Sequence, residues 1–158
     1  MLSRRDDVRF AVFGIGSQEE TLRARVADLG DKVRFCGFCK EIEQALFLLD
    51  IAVVPSRSEA FCLSAAEAMS MGTPVVAFDV DGVGEVVRDG ETGLLAPAGN
   101  AAALAGKIEM LLSDEALRQR FGERGREVVR AELTAETMVQ KTQALYERLL
   151  EKKGVGAR

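Results

Sequence analysis

The segment IAVVPSRSEAFCLSAAEAMSMGTPVVAF, residues 51–78, constrains the fold of this chain more than any other. It predicts an apolar strand, a loop, a helix with almost no charge, a tight turn and a second apolar strand. Although 29% of all residues are charged, only Glu59 and Glu67 are charged within residues 58–78. A carboxylate in apolar surroundings is costly unless a partner satisfies it, so both glutamates require an explanation.

The composition of the 158-residue chain, 47% hydrophobic, is that of one ordinary globular domain. The net charge of −4 and the pI near 5.1 argue against a nucleic-acid partner. Because no apolar run could span a membrane and the N-terminus lacks the apolar core of a signal peptide, we expect a cytoplasmic protein. The chain has no His and three Cys, so we expect reduced thiols, no metal and no cofactor.

Apolar, non-alternating strands and helical patterns succeed one another along the chain. Strands are predicted at 8–13, 32–36, 51–54, 74–78 and 94–96, and C-terminal helices at 101–112, 114–121, 123–132 and 134–152, with Thr134 as the N-cap of the last. This pattern predicts an α/β fold: a Rossmann-like parallel sheet of about five strands with helices on both faces and a helical C-terminal extension. We expect a single domain over residues 1–153 and a frayed, disordered tail over 154–158.

Two short motifs outside the central segment resemble known sites. Gly14-x-Gly16 follows the first strand, but Glu19 occupies the place of the third glycine of a dinucleotide fingerprint and would repel a pyrophosphate. We therefore interpret this loop as a tight strand-to-helix turn, with Ser17 and Glu20 as a capping box.

The second motif is Cys36-Gly37-Phe38-Cys39, a C-x-x-C between a strand and a helix, where thioredoxin-like redox sites lie. A thiol redox function using Cys36 and Cys39 stays open as a remote alternative. A metal site would need a fourth ligand that neither His nor Cys supplies.

The central segment indicates a nucleotide-sugar site. If its helix begins near residues 61–63, the first amides offer an anion site at the carboxyl end of a parallel strand. The amides of Phe61, Cys62 and Leu63 would meet a phosphate, and Glu67 would accept hydrogen bonds from ribose hydroxyls. A structural alternative is a Glu59 that interacts with the helix dipole and a Glu67 that pairs with an arginine. The residues alone leave both explanations open.

The segment PSRSEAFCLSAAEAMSMGTPVVAFDVDGVGEVVRDGETGLLAP resembles the donor-site signature of retaining family 4 glycosyltransferases of the GT-B fold. The resemblance implies that Glu59 is catalytic, beside the transferred sugar, and that Glu67 binds the nucleotide ribose. It also implies donor-binding positions, of which the last two match more loosely: Phe61, Cys62, Leu63, Phe38 and Cys39. Cys62 and Gly84 depart from the signature, which usually has Gly and Pro there.

The chain resembles a donor half that is truncated at its N-terminal side. The family's donor domain begins with one more strand and helix, which carry an Arg and a Lys that neutralise the diphosphate, and its acceptor-binding domain precedes them. Without that strand, the five predicted strands could close in the order 2-1-3-4-5, which we favour, or leave an exposed or swapped sheet region that a homodimer fills.

The leading hypothesis is therefore that the chain is the donor-binding domain of a retaining hexosyltransferase. Such a domain would be inactive alone, because it lacks the acceptor domain. The alternative of another class is a non-catalytic binding or interaction module on the same scaffold. Both hypotheses predict that this chain alone transfers no sugar. An assay that detects sugar transfer by the chain alone would contradict them.

Overall fold

Strand pairing is parallel throughout residues 5–153, the part of the chain that the computed structural model describes. β1 (Phe10–Phe13) pairs with β2 (Val33–Gly37). β4 (Val75–Asp79) lies between β3 (Ala52–Val54) and β5 (Gly93–Pro97). The five predicted strands and their parallel arrangement are thus confirmed.

The described strands form two sheets rather than one, in the orders β1-β2 and β3-β4-β5. The predicted 2-1-3-4-5 closure would pair β1 with β3 and stays a prediction. The chain also divides into two compact units, one ending at Ala45 and one beginning at Leu46, and we describe each by itself.

In the first unit, α1 (Glu19–Arg25) and a 3-10 segment (Ala27–Lys32) connect the two strands. The predicted capping box of Ser17 and Glu20 was wrong. The helix begins two residues after Ser17, so no side chain caps its first amides. In the first turn, Glu19 forms an ion pair with Arg23 one turn later, with 2.8 Å between Glu19 Oε1 and Arg23 Nη2.

The second unit contains most of the helices, which flank its three-stranded sheet. α2 (Ile42–Phe47) precedes β3 and ends inside this unit. The remaining helices follow in chain order: α3 (Leu63–Ser70), α4 (Val83–Val86), α5 (Ala101–Ser113), α6 (Glu115–Glu132) and α7 (Ala135–Lys152).

The core of the second unit lies between the three-stranded sheet and the helices α3, α5 and α6. Strand residues such as Val75 and Val76 are completely buried, as expected for parallel strands that are covered on both faces. The largest buried side chains on the helices are Met69, Leu111, Phe121 and Val128. Burial of each such side chain contributes about 2 kcal/mol to the free energy of unfolding.

Residues 115–132 form one continuous helix, so the two helices predicted at 114–121 and 123–132 were wrong. Gly122 suggested a break. In the structure Gly122 is buried against the turn between α3 and β4, where an added Cβ would meet the carbonyl oxygen of Gly72. The glycine allows close approach of two backbones inside a helix that continues past it.

The three C-terminal helices are capped by side chains. Asn100 Oδ1 accepts from the Ala103 amide at 3.0 Å, and Asp114 Oδ1 accepts from Leu117 at 2.9 Å. Thr134 Oγ1 accepts from the Thr137 amide at 3.2 Å, which confirms the predicted N-cap of α7.

No residue of α7 is buried, and the helix exposes several large apolar side chains, among them Met138, Tyr146 and Leu150. Over the described residues, none of the helices combines the length and the apolar character that crossing a membrane requires. The predicted frayed tail, residues 154–158, lies outside the described residues.

A cluster of ion pairs connects the β4–β5 connection to α6. Glu91 Oε1 lies 2.8 Å from Arg124 and 3.5 Å from Arg88, and Arg88 also lies 2.6 Å from Glu132. The hydrogen bond from Arg124 holds the pKa of the Glu91 carboxyl below its ordinary value of 4.5, and the two positive charges act in the same direction. The cluster therefore favours the ionised carboxylate in the folded state.

We expect the Glu91→Gln variant to lose less stability in acid than the wild type. A carboxyl group whose pKa is lower in the folded state stabilises fully above its unfolded pKa, and this contribution disappears as the pH falls through the folded pKa. The difference between wild type and Glu91→Gln, measured by urea unfolding at neutral pH and at about pH 3, should therefore shrink in acid. It should also shrink in high salt, because these side chains are exposed. Glu109→Gln in α5 is the control. If acid changed the stability difference from wild type equally in both variants, the lowered pKa of Glu91 in the folded state would be contradicted.

Candidate functional site

The candidate site is built by the loop of residues 55–62, which follows β3, and by α3. The helix begins at Leu63, within the predicted range, and Cys62 is its N-cap. The Cys62 carbonyl accepts from the amides of Ala65 and Ala66 at 3.1 and 3.3 Å. The Cys62 side chain caps none of the helix amides, so the first turn keeps amide groups available for an anion.

Cys62 is buried and adopts a left-handed backbone conformation with φ of +67° and ψ of +63°. That conformation costs a non-glycine residue about 1 kcal/mol. The position therefore favours glycine, and a thiol with its Sγ 3.8 Å from Ser64 Oγ occupies it here. The sequence showed the unusual residue type, and the structure shows the backbone reason why it is unusual.

Glu67 lies in the second turn of α3 and is partly exposed, although Ala66 and Ala68 beside it are buried. Among residues 5–153, no lysine or arginine forms an ion pair with its carboxylate. The structural alternative, in which Glu67 pairs with an arginine, is therefore wrong for the described chain. Its carboxylate oxygens can accept hydrogen bonds from a ligand's hydroxyl groups.

Glu59 lies in the preceding loop, half-buried, and its Oε1 accepts a hydrogen bond from Ser56 Oγ at 2.7 Å. The Glu59 carbonyl oxygen accepts from the Gly82 amide at 3.0 Å. In the same loop, Ser58 Oγ donates to Asp81 Oδ2 at 2.7 Å. The Glu59 carboxylate is thus oriented by a hydroxyl group and its backbone is attached to a second loop.

Sequence reasoning did not identify these contacts with Ser56, Ser58, Asp81 and Gly82. The Asp81-Gly82 dipeptide is typical of a turn, and a turn signal was available at that position. The sequence offered no signal for the loop that this turn contacts, because the two loops lie more than twenty residues apart in the chain.

Five of the seven predicted site residues lie in the loop and helix that follow β3. Phe61 and Leu63 expose 39% and 67% of their surface, so their predicted contribution depends on their backbone amides. The remaining two, Phe38 and Cys39, lie between β2 and α2 in the first unit, where Phe38 is exposed and Cys39 is half-buried. Their predicted role beside the nucleotide base stays a prediction.

The three cysteines are free thiols, with Cys36 exposed, Cys39 half-buried and Cys62 buried. Over the part of the chain that the structure describes, no three or more Cys, Asp or Glu side chains are grouped to hold a metal ion. The groups that the candidate site presents include the amides at the start of α3 and the carboxylates of Glu59 and Glu67.

Residues 1–128 match the sequence model of the family Glycosyl transferases group 1. The chain belongs to this family. Its α/β architecture, with parallel sheets flanked by helices, matches that of Rossmann-like structures of the GT-B fold.

Named relatives agree with the family assignment. The chain is 40% identical over 128 residues to the phosphatidyl-myo-inositol mannosyltransferase of Mycobacterium leprae, a match that covers 79% of this chain and 34% of that protein. Among solved structures, the complex of Anabaena HepE with UDP-glucose superposes with a TM-score of 0.81 and 26% identity, covering 90% of this chain and 42% of that one.

The C-terminal domain of a group 1 glycosyltransferase, LpcC of Francisella tularensis, superposes with a TM-score of 0.76 at 29% identity. That match covers 85% of this chain and 74% of that structure. The curated relatives are longer proteins, and this chain spans about a third of the length of those it matches first.

Proposed function

We propose that this chain is the nucleotide-sugar donor-binding domain of a retaining family 4 glycosyltransferase. The whole enzyme would move a sugar from a nucleoside diphosphate to an acceptor hydroxyl. The observation that carries the proposal is Glu67: a partly exposed carboxylate without an ion-pair partner in the described chain, one turn past a helix start whose amides no side chain caps. Its carboxylate oxygens are available to the hydroxyl groups of a ligand.

Each group has a role in this proposal. The amides at the start of α3, those of Cys62 and Leu63 among them, bind the diphosphate and stabilise the negative charge that it gains as it leaves. Glu67 accepts hydrogen bonds from the two ribose hydroxyls. Glu59, whose carboxylate Ser56 orients, lies beside the transferred sugar. The complex of HepE with UDP-glucose shows that a related protein binds such a donor, which supports this choice of ligand class.

The proposal also states where the acceptor binds. We place the acceptor on a separate domain. The likeness to a C-terminal domain supports this, as does the fact that the chain covers about a third of its relatives' length. On this proposal the chain binds donor and does not transfer sugar alone.

We expect one of UDP, GDP or ADP to raise the melting temperature of the chain by about 6 °C at a concentration of about 100 times its Kd. Such a concentration adds about 2.7 kcal/mol to the free energy of unfolding when the ligand binds only the folded state. Differential scanning fluorimetry with each nucleotide and its glucose or mannose conjugate measures this shift, with inorganic phosphate as the control. No shift with any nucleotide would contradict donor binding, and sugar transfer by the chain alone would contradict the division between domains.

A further inference from the structure

The loop that carries Glu59 is attached to a second loop, residues 80–82, at two adjacent positions. Ser58 Oγ donates to Asp81 Oδ2 at 2.7 Å, and the Gly82 amide donates to the Glu59 carbonyl oxygen at 3.0 Å. We call the first of these contacts the Ser58–Asp81 link. A side-chain bond at residue 58 and a backbone bond at residue 59 together restrain the backbone from which the Glu59 side chain projects.

The second loop is shaped for this contact. Gly82 is buried, and a Cβ there would meet the carbonyl oxygen of Ala60, so the two backbones touch. Asp81 adopts φ of +36°, a left-handed conformation that Asp tolerates better than most residues. The loop thus keeps an unfavourable backbone conformation at the residue whose carboxylate reaches Ser58.

Glu67 is held differently from Glu59. It projects from α3, whose residues Ala65, Ala68 and Met69 are completely buried in the core of the second unit. The position of the Glu67 backbone therefore depends on core packing, whereas that of Glu59 depends on contacts between two loops. A change confined to the loops should move Glu59 and leave Glu67 in place.

We infer that Ser58 and Asp81 are positioning residues, which hold Glu59 against the sugar of the donor and contribute nothing to the binding of its nucleotide. This inference rests on the proposed function, because it needs Glu59 at the sugar and Glu67 at the ribose. It goes further in assigning sugar affinity to a pair of residues to which the resemblance gives no role.

The test compares the affinity of each variant for UDP-glucose and for UDP, or for GDP-mannose and GDP if the melting experiment selects guanine. Ser58→Ala removes the donor of the link. Asp81→Gly removes the acceptor with a residue that readily adopts a positive φ. Both variants should bind the nucleotide sugar about tenfold more weakly and the nucleoside diphosphate within about twofold of wild type, by isothermal titration calorimetry. Ser58→Thr and Asp81→Asn, which keep a hydroxyl and an acceptor oxygen, should recover most of the loss.

A second measurement does not need a ligand. Because the Gly82 amide donates to Glu59, its hydrogen exchange by NMR should accelerate in Ser58→Ala and Asp81→Gly and stay slow in Ser58→Thr. Ser113→Ala, at the end of α5, is the control in both measurements. Equal losses for sugar and nucleotide, no loss for either, or unchanged Gly82 exchange would each overturn the inference. If wild type binds no nucleotide at all, the proposed function itself is overturned.

Discussion

Replacing Glu67 by alanine is expected to weaken binding of the nucleoside diphosphate by about tenfold to a hundredfold. Hydrogen bonds to a charged group contribute about 1.5–3 kcal/mol, and Glu67 is the group that we place at the ribose hydroxyls. The variant should fold normally, because the wild-type carboxylate has no ion-pair partner in the described chain and alanine is the best helix former.

Calorimetric titration of wild type and Glu67→Ala with UDP or GDP measures the loss. Glu67→Gln keeps the shape and one acceptor oxygen but loses the negative charge, so an intermediate affinity is expected for it. Glu109→Ala, which removes an exposed carboxylate from α5, controls for the change in net charge. An unchanged affinity in Glu67→Ala, together with an unfolding free energy within about 0.5 kcal/mol of wild type, would refute the assignment of Glu67.

The Gly122→Ala variant is expected to lose about 2 kcal/mol or more of stability. The new Cβ would meet the Gly72 carbonyl oxygen in the turn between α3 and β4, and no side-chain rotation can separate these two atoms. Arg126 braces the same turn through a 2.5 Å hydrogen bond to the Met71 carbonyl, so the turn has little freedom to shift. Overpacking of this kind costs about 1–3 kcal/mol.

Gly106→Ala is the matched control, because Gly106 also lies inside a helix but an added Cβ there meets nothing within 4 Å. Alanine replaces a poor helix former at both positions, so Gly106→Ala should gain about 0.5–1 kcal/mol. Urea unfolding of both variants therefore separates helix propensity from close packing. A gain in both variants would show that the α3–β4 turn moves aside and that the contact is not restrictive.

Local patterns were enough for most of the secondary structure. The predicted start of α3 agrees with Leu63, because an apolar strand, a polar loop and an uncharged helical pattern follow one another within residues 51–70. The N-cap at Thr134 was predicted for the same reason, since the cap bonds to an amide only three residues away. Both features depend on neighbours in the chain.

Predictions failed where a distant neighbour decides the conformation. Gly122 reads locally as a helix break, and its close approach to Gly72 comes from a turn fifty residues earlier. The capping box at Ser17 failed because the helix begins later than its pattern suggested.

The sequence by itself determined the family and the parallel α/β architecture, and it singled out the two glutamates on which the candidate site is proposed. These follow from residue types at short spacings, where the 2.0 and 3.6 periodicities and helix-start signals operate. Only the tertiary structure decided that Glu67 has no cationic partner in the described chain, that Cys62 is left-handed, and that Glu59 is attached to Asp81 and Gly82. Those facts depend on which loops the packed core brings within hydrogen-bonding distance, and no spacing along the chain encodes that distance.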